Sequence, residues 1–146
     1  MNNDKLAETL QQFFQKYLNA WVTQDLESVV SCYALPSTMT SGESIVPLYS
    51  HDAVAKQCQQ IFDWMANTEV AGITVSNASY HAFNKEIAVV NIHWKFLDKS
   101  NNLITDFAAL YHIQISDKHA KIMHVVSHPI AVSADLSQAL SLNNLN

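Results

Sequence analysis

Three apolar runs follow one another between Glu86 and His128: Ile87–Leu97, Leu103–Ser116 and Lys121–His128. They are rich in β-branched and aromatic residues and are separated by the polar turns Asp98–Asn102 and Asp117–Ala120, the pattern of consecutive antiparallel strands. Both alternate faces of each run are largely apolar, so the sheet expects cover on two sides. Upstream, Ile73–Phe83 alternates like a further strand, and Asn84-Lys85 reads as a two-residue hairpin turn into Glu86.

The first half of the chain carries a helical period instead. Leu6, Leu10, Phe13, Phe14, Tyr17, Leu18 and Trp21 form one broad apolar stripe, opposite Gln11, Gln12, Gln15, Lys16 and Asn19. This predicts a helix to about Gln24, capped by Asn3 or Asp4. Asp25 predicts the cap of a short second helix, Leu26 to about Ala34, ended by Pro36. Ser37–Ser44 has room for one short strand. Ser50 predicts the cap of a third helix, His51–Asn67, with Val54, Cys58, Ile61, Phe62 and Met65 along one side and Trp64 near its edge. After Pro129 the low-charge tail reads as helical from Ser133 to Leu142. Helices first and an antiparallel run afterwards make an α+β chain, with residues 1–130 as a single domain and 131–146 as a C-terminal tail.

Composition narrows what such a chain can do. Of its 146 residues, 49% are apolar and only 14% charged, so it is globular and able to bury one core. Eight Lys and Arg against thirteen Asp and Glu leave a net charge of −5, with no basic run. Neither nucleic acid nor an anionic membrane surface is expected as a partner, because phosphate binding needs clustered cations. The N-terminus lacks a basic and an apolar segment in signal-peptide order, and no apolar stretch approaches the roughly 18 residues of a membrane span. Cys32 and Cys58, on predicted helices among apolar neighbours, are expected as buried free thiols in a reducing cytoplasm.

Several chemistries are missing from the sequence. Two distant glycines cannot build a phosphate-cradling loop, and there is no His-x-x-x-His, Cys-x-x-Cys or Gly-x-Ser-x-Gly pattern. His93, His112 and His124 sit mid-strand on consecutive strands. Imidazoles grouped that way can bind a metal, but no carboxylate stands beside them, and the plainer reading is a histidine-bearing sheet surface. No metal or cofactor is expected. The aromatic set Tyr17, Trp21, Tyr33, Trp64, Trp94, Phe107 and Tyr111 is more suggestive. Parity puts Phe107, Ala109 and Tyr111 on one strand face and Val90, Ile92 and Trp94 on a face of its neighbour. Covered by the first and third helices, these rings would converge either on a cavity with a few hydroxyls or on a filled core.

The order helix, short helix, short strand, helix, long meander resembles the nuclear-transport-factor-2-like (NTF2-like) superfamily, a cystatin-like fold. Its relatives include steroid Δ-isomerase, scytalone dehydratase, limonene epoxide hydrolase and the SnoaL-like polyketide cyclases. Gln15–Ala34 looks like that superfamily's stretch of Tyr, then Asp-Leu, then an aromatic-Ala, and Ala120-Lys121-Ile122 looks like its Gly-Lys-Ile, with Ala in place of Gly. The resemblance spans roughly residues 5–130. It implies a curved, mainly antiparallel sheet wrapped around helices to form a cone with an internal pocket. It also implies a homodimer through the convex sheet face.

The same resemblance places Tyr17 on the steroid isomerases' oxyanion-donor tyrosine and brings Tyr111 near their second donor. Their general-base aspartate falls on Ser41, which cannot abstract a carbon-bound proton near neutral pH, so that activity is not expected. One register decides what else the interior could do. If the last strand turns Met123, Val125 and Ser127 inward, it contributes no histidine. If it turns Ile122, His124, Val126 and His128 inward, His124 or His128 could serve as a base opposite Tyr17. The polar residues Asn91, His93, His112 and Gln114, outward by parity, favour the first. The leading expectation is a binder of a small, mostly apolar molecule through Tyr17, Trp21, Tyr33, Ser41, Trp64, Trp94, Phe107 and Tyr111. The alternatives are a cofactor-independent lyase, isomerase or hydrolase with a pocket histidine, and a dimeric interaction module without a ligand.

Overall fold

The computed structural model describes residues 3–117 and 119–145. The side chains of Asn3 and Asp4, the expected cap of the first helix, lie outside what is described. Helix α1 (Asn3–Val22) buries Leu6, Leu10, Phe14, Tyr17, Leu18 and Trp21, the stripe its spacing predicts. Helix α2 (Leu26–Ser31) starts at Asp25, whose carboxylate accepts from the Ser28 backbone N–H at 3.2 Å and the Ser28 hydroxyl at 2.7 Å. Those two bonds hold the Asp25 carboxyl below its ordinary pKa. The helix stops three residues short of Ala34. From Tyr33 onward the backbone is claimed by a sheet.

Strands β1 (Tyr33–Ser41) and β2 (Ser44–Leu48) form a hairpin where one short strand was expected, turning at Gly42 with φ +44°. Helix α3 (His51–Asn67) is capped by Ser50, whose Oγ accepts from the Ala53 N–H at 3.1 Å. Then follow β3 (Gly72–Ala82), β4 (Ile87–Leu97), β5 (Leu103–Ser116) and β6 (His119–His128). Asn84-Lys85 is not a two-residue turn. Residues 83–86 make a four-residue link in which Asn84 Oδ1 accepts from the N–H groups of Glu86 and Ile87, so the side chain replaces the positive-φ backbone that Lys85 would resist.

The seven strands, with β7 (Gln138–Ala139) last, make one curved, unclosed sheet in the order β2-β1-β6-β5-β4-β3-β7. Among the described residues, only the β1–β6 pairing is parallel. The helices cover its inner face, where Leu10, Phe14 and Leu18 meet Val90, Ile92, Ile113 and Ile122, all fully buried. Each such side chain contributes about 2 kcal/mol by leaving water. No described helix is long and apolar enough to cross a membrane.

Two bulges set which residues face inward. Ser76 has no partner between the pairs Val75–Trp94 and Asn77–His93. Met123 has none between Ile113–Ile122 and His112–His124. An unpaired residue reverses parity beyond it. Strand β6 therefore presents Ala120 and Ile122 inward before its bulge and Val125 and Ser127 after it, combining halves of the two registers expected for it.

The tail is not helical from Ser133 to Leu142. A single 3-10 turn, Ile130–Val132, leads into an extended strap across the outer face of the sheet. Asn91 Nδ2 donates to Ser133 Oγ at 2.5 Å and to the Ala134 carbonyl at 3.0 Å, and the Leu136 N–H donates to Ser79 Oγ. Strand β7 then pairs with β3, Leu140 inserts into the core, and Asn144 exchanges two hydrogen bonds with the Val75 backbone. These sheet contacts outcompete a helix that would have had little apolar face to bury.

Candidate functional site

The inner faces of β1, β4, β5 and β6, with α1 and α3 across them, leave a cavity of about 290 Å³. Its closed end is built from rings. Tyr17 on α1 stands edge-on to Trp21, Trp94 and Tyr111, with centroids 6.1, 6.2 and 5.7 Å away, and lies tilted to Tyr33 at 6.1 Å. The Tyr17 and Tyr33 hydroxyls are 2.7 Å apart, and Trp94 Nε1–H donates to Tyr111 Oη at 3.1 Å. Helical spacing puts Tyr17 and Trp21 one turn apart on the buried face of α1. Cross-strand pairing sets Tyr111 of β5 against Val90 of β4 and Val125 of β6.

The walls are apolar, with Met39, Val46, Ile73, Phe96, Ala109 and Val125 among them. The open end carries Ser41, Ser44, Gln57 and Ser127, with Ile61 of α3 at its rim. Among the described residues, no Asp, Glu, Lys, Arg or His lines the cavity. Burial pushes the phenols of Tyr17 and Tyr33 well above the ordinary tyrosine value and raises Tyr111 too. All three stay protonated near neutral pH.

Of the residues expected at a site, Tyr17, Trp21, Tyr33, Ser41, Trp94, Phe107 and Tyr111 come together around this space. Trp64 does not. Its ring is 40% exposed and packs on Phe96 from outside, at 5.8 Å between centroids, because its position on α3 falls beyond the buried stripe. His124 and His128 do not reach the cavity either, since the Met123 bulge keeps them on the outer face. There His124 Nδ1 pairs with Thr38 Oγ1 at 2.8 Å and its ring lies 5.6 Å from that of His112. Burial first, and the neighbouring His112 second, lower the His124 pKa. His93 meets Ser133 of the strap at 3.1 Å. No group of three or more metal-ligating side chains occurs among the described residues.

Sequence reading missed Gln57 and Ser44, which carried no signal, being polar residues of a helix and of a strand end. Val125 and Ser127 line the cavity as in the favoured register for the last strand, while Met123, inward in that register, is the unpaired bulge residue. Cys32 and Cys58 are buried and unbridged, as expected, and lie outside the lining. Burial, then the nearby Cys32 sulfur, pushes the Cys58 thiol up to about 12.

The sequence profile of the family described as "NTF2-like protein (DUF6841)" matches residues 7–130. A search of curated proteins found no match. Among solved structures, an NTF2-like protein of unknown function from Pseudomonas putida superposes with a TM-score of 0.69 at 10% identity, covering 88% of each chain. An NTF2-like protein with a cystatin-like fold from Novosphingobium aromaticivorans gives 0.68 at 12% identity, over 87% of this chain and 83% of its own. An NTF-2 like protein of unknown function from Shewanella oneidensis gives 0.66 at 13% identity, over 82% of this chain and 96% of its own. At such identities the likeness is one of fold alone.

Proposed function

This chain belongs to the NTF2-like family DUF6841, and from that premise we propose that it binds one small, mostly apolar molecule inside its cone. The observation that carries the reading is a hollow of about 290 Å³ walled by aromatic and aliphatic side chains, with a few tyrosine, serine and threonine hydroxyls and Gln57 as its polar groups. That volume lies at the lower edge of small-molecule sites and suits a single compact ligand. Apolar walls supply the affinity, and the few hydroxyls orient what enters. Base-driven turnover gains no support, because the lining offers no carboxylate, imidazole or amine to take a proton.

The test is titration of the full chain with a neutral apolar fluorophore, N-phenyl-1-naphthylamine. Saturable one-to-one binding is expected. It should be lost in Ala109→Leu, which fills the hollow, while that variant still unfolds cooperatively. No saturable signal in the unmodified chain would end the proposal.

The reading extends to a homodimer. The middle of the outer face of β5 and β6 presents Leu110, His112, His124, Val126 and His128, and a surface without Lys, Arg, Asp or Glu there suits a second copy. Sedimentation at micromolar concentration should give twice the chain mass. The two buried free thiols suit a reducing compartment such as the cytoplasm.

A further inference from the structure

On the outer face of the sheet, away from the cavity, two imidazoles stand side by side. His112 of β5 and His124 of β6 are directly opposite in the antiparallel ladder, and their ring centres lie 5.6 Å apart. The bulge makes this pair. With Ile122 facing inward, only the unpaired Met123 lets His124 fall on the outer side. Thr38 of β1 then holds the His124 ring, its Oγ1 lying 2.8 Å from Nδ1. The other ring nitrogen, Nε2, is shut away from solvent and has no hydrogen-bond partner among the described residues. When Nδ1–H donates to the threonine oxygen, Nε2 keeps a lone pair that no donor meets, which buried polar atoms rarely tolerate. One nitrogen tied to an oxygen and the other left free is how metal-binding histidines are held.

From this juxtaposition we infer that His112 and His124 chelate a late first-row divalent transition-metal ion on the outer face, with Thr38 fixing the His124 ring. Metal–nitrogen bonds of ~2.1 Å let two imidazoles that share an ion have centres up to roughly 6.5 Å apart, and 5.6 Å lies within that span. His112 is exposed, so its ring is free to turn a nitrogen toward the same ion. Imidazole ligands suit nickel, copper or zinc. Magnesium and calcium want oxygens, and the neighbouring ladder positions Val89, Leu110, Gln114 and Val126 carry no carboxylate. This departs from the expectation of no metal, which rested on that missing carboxylate. Two imidazoles suffice for a bidentate site, with water in the remaining positions. The site lies outside the cone and does not depend on what the cavity holds.

The full chain, stripped with a chelator and exchanged into clean buffer, is titrated with Ni²⁺ at pH 7.5 by calorimetry. Saturable uptake of one ion per chain is expected, or one per two chains where paired outer faces share it. Ni²⁺ should also raise the melting temperature, because the two imidazoles are brought together only in the folded chain. His112→Ala, at an exposed position, should keep the metal-free melting temperature and lose both effects. His119→Ala, which removes another exposed histidine of β6, should keep both. Thr38→Val should weaken uptake about tenfold, the usual cost of removing a ligand's own hydrogen-bond partner, and Thr38→Ser should restore it. No saturable uptake by the native chain, uptake unchanged in His112→Ala, or equal loss in His119→Ala overturns the site. Native affinity in Thr38→Val overturns the part given to Thr38.

Discussion

The hydroxyls of Tyr17, on the first helix, and Tyr33, at the start of the first strand, stand 2.7 Å apart at the closed end of the cone. The bond ties α1 to the sheet where both rings are almost wholly buried. Either oxygen can be the donor, and each would be stranded without the other. The same pair that closes the fold therefore forms part of the floor on which a ligand would rest.

Tyr17→Phe removes one hydroxyl and leaves that of Tyr33 without its partner. Urea unfolding should report a loss of about 1–2 kcal/mol, with an unchanged denaturant slope. The double change Tyr17→Phe/Tyr33→Phe should cost less than the sum of the singles, since it leaves no stranded group.

Alkaline pH should unfold the chain earlier than its surface charge suggests. The phenols of Tyr17 and Tyr33 ionise in the unfolded chain near their ordinary value of 10.0, while burial holds them protonated in the fold. A raised folded value keeps its stabilisation below the unfolded value and loses it as pH climbs beyond. Stability should fall from about pH 10 upward, at roughly 1.4 kcal/mol per pH unit for each phenol. Cys58 begins the decline, with an ordinary value of 9.0 and a folded one of about 12. Melting temperature against pH, read for the native chain and Cys58→Ala, checks both. The variant should lose less stability between pH 9 and 10, the rest of the decline there coming from Cys32, whose thiol is also raised by burial.

The acid side should be governed in part by His124. Its folded pKa is lowered, by burial and then by His112, so below the ordinary 6.5 the unfolded chain takes up a proton that the fold resists. Stability contributed this way is complete above pH 6.5 and is lost as pH drops toward the folded value. His124→Gln should flatten that part of the profile in a melting series from pH 7.5 to 5. Thr38→Val, which removes the hydroxyl paired with Nδ1, should not flatten it.

The strap is expected to hold the far edge of the sheet. Leu140→Ala should cost about 2–3 kcal/mol, because the side chain is 7% exposed and packs in the core. Ending the chain after Pro129 uncovers the free edge of β3, and light scattering should then show concentration-dependent association.

Much of the architecture is legible in local chemistry. The caps at Asp25 and Ser50, the stripe of α1 and the apolar runs of β4 and β5 each rest on residues within one or two turns of each other, so period and polarity suffice. The aromatic meeting of Tyr17, Trp94 and Tyr111 follows from the same periods, together with the likeness to the superfamily. What escapes is whatever depends on distant partners. Met123 looks like any strand residue, yet its lack of a cross-strand mate decides where His124 and His128 point. The tail has the residues of a weak helix, but Asn91, Ser79 and Val75 offer its backbone and side chains better partners. Size and aromaticity mark Trp64 as a candidate, whereas its angle around α3 puts it outside.

The bulge at Met123 also determines how readily this interior could acquire new reactivity. Positions beyond it occupy alternate sides, so loss of Val125 alone would slide the rest of β6 by one place and carry the His128 imidazole to where Ser127 now stands, near the rim of the hollow. An interior without a base and one with an imidazole at its rim are thus separated by a single codon.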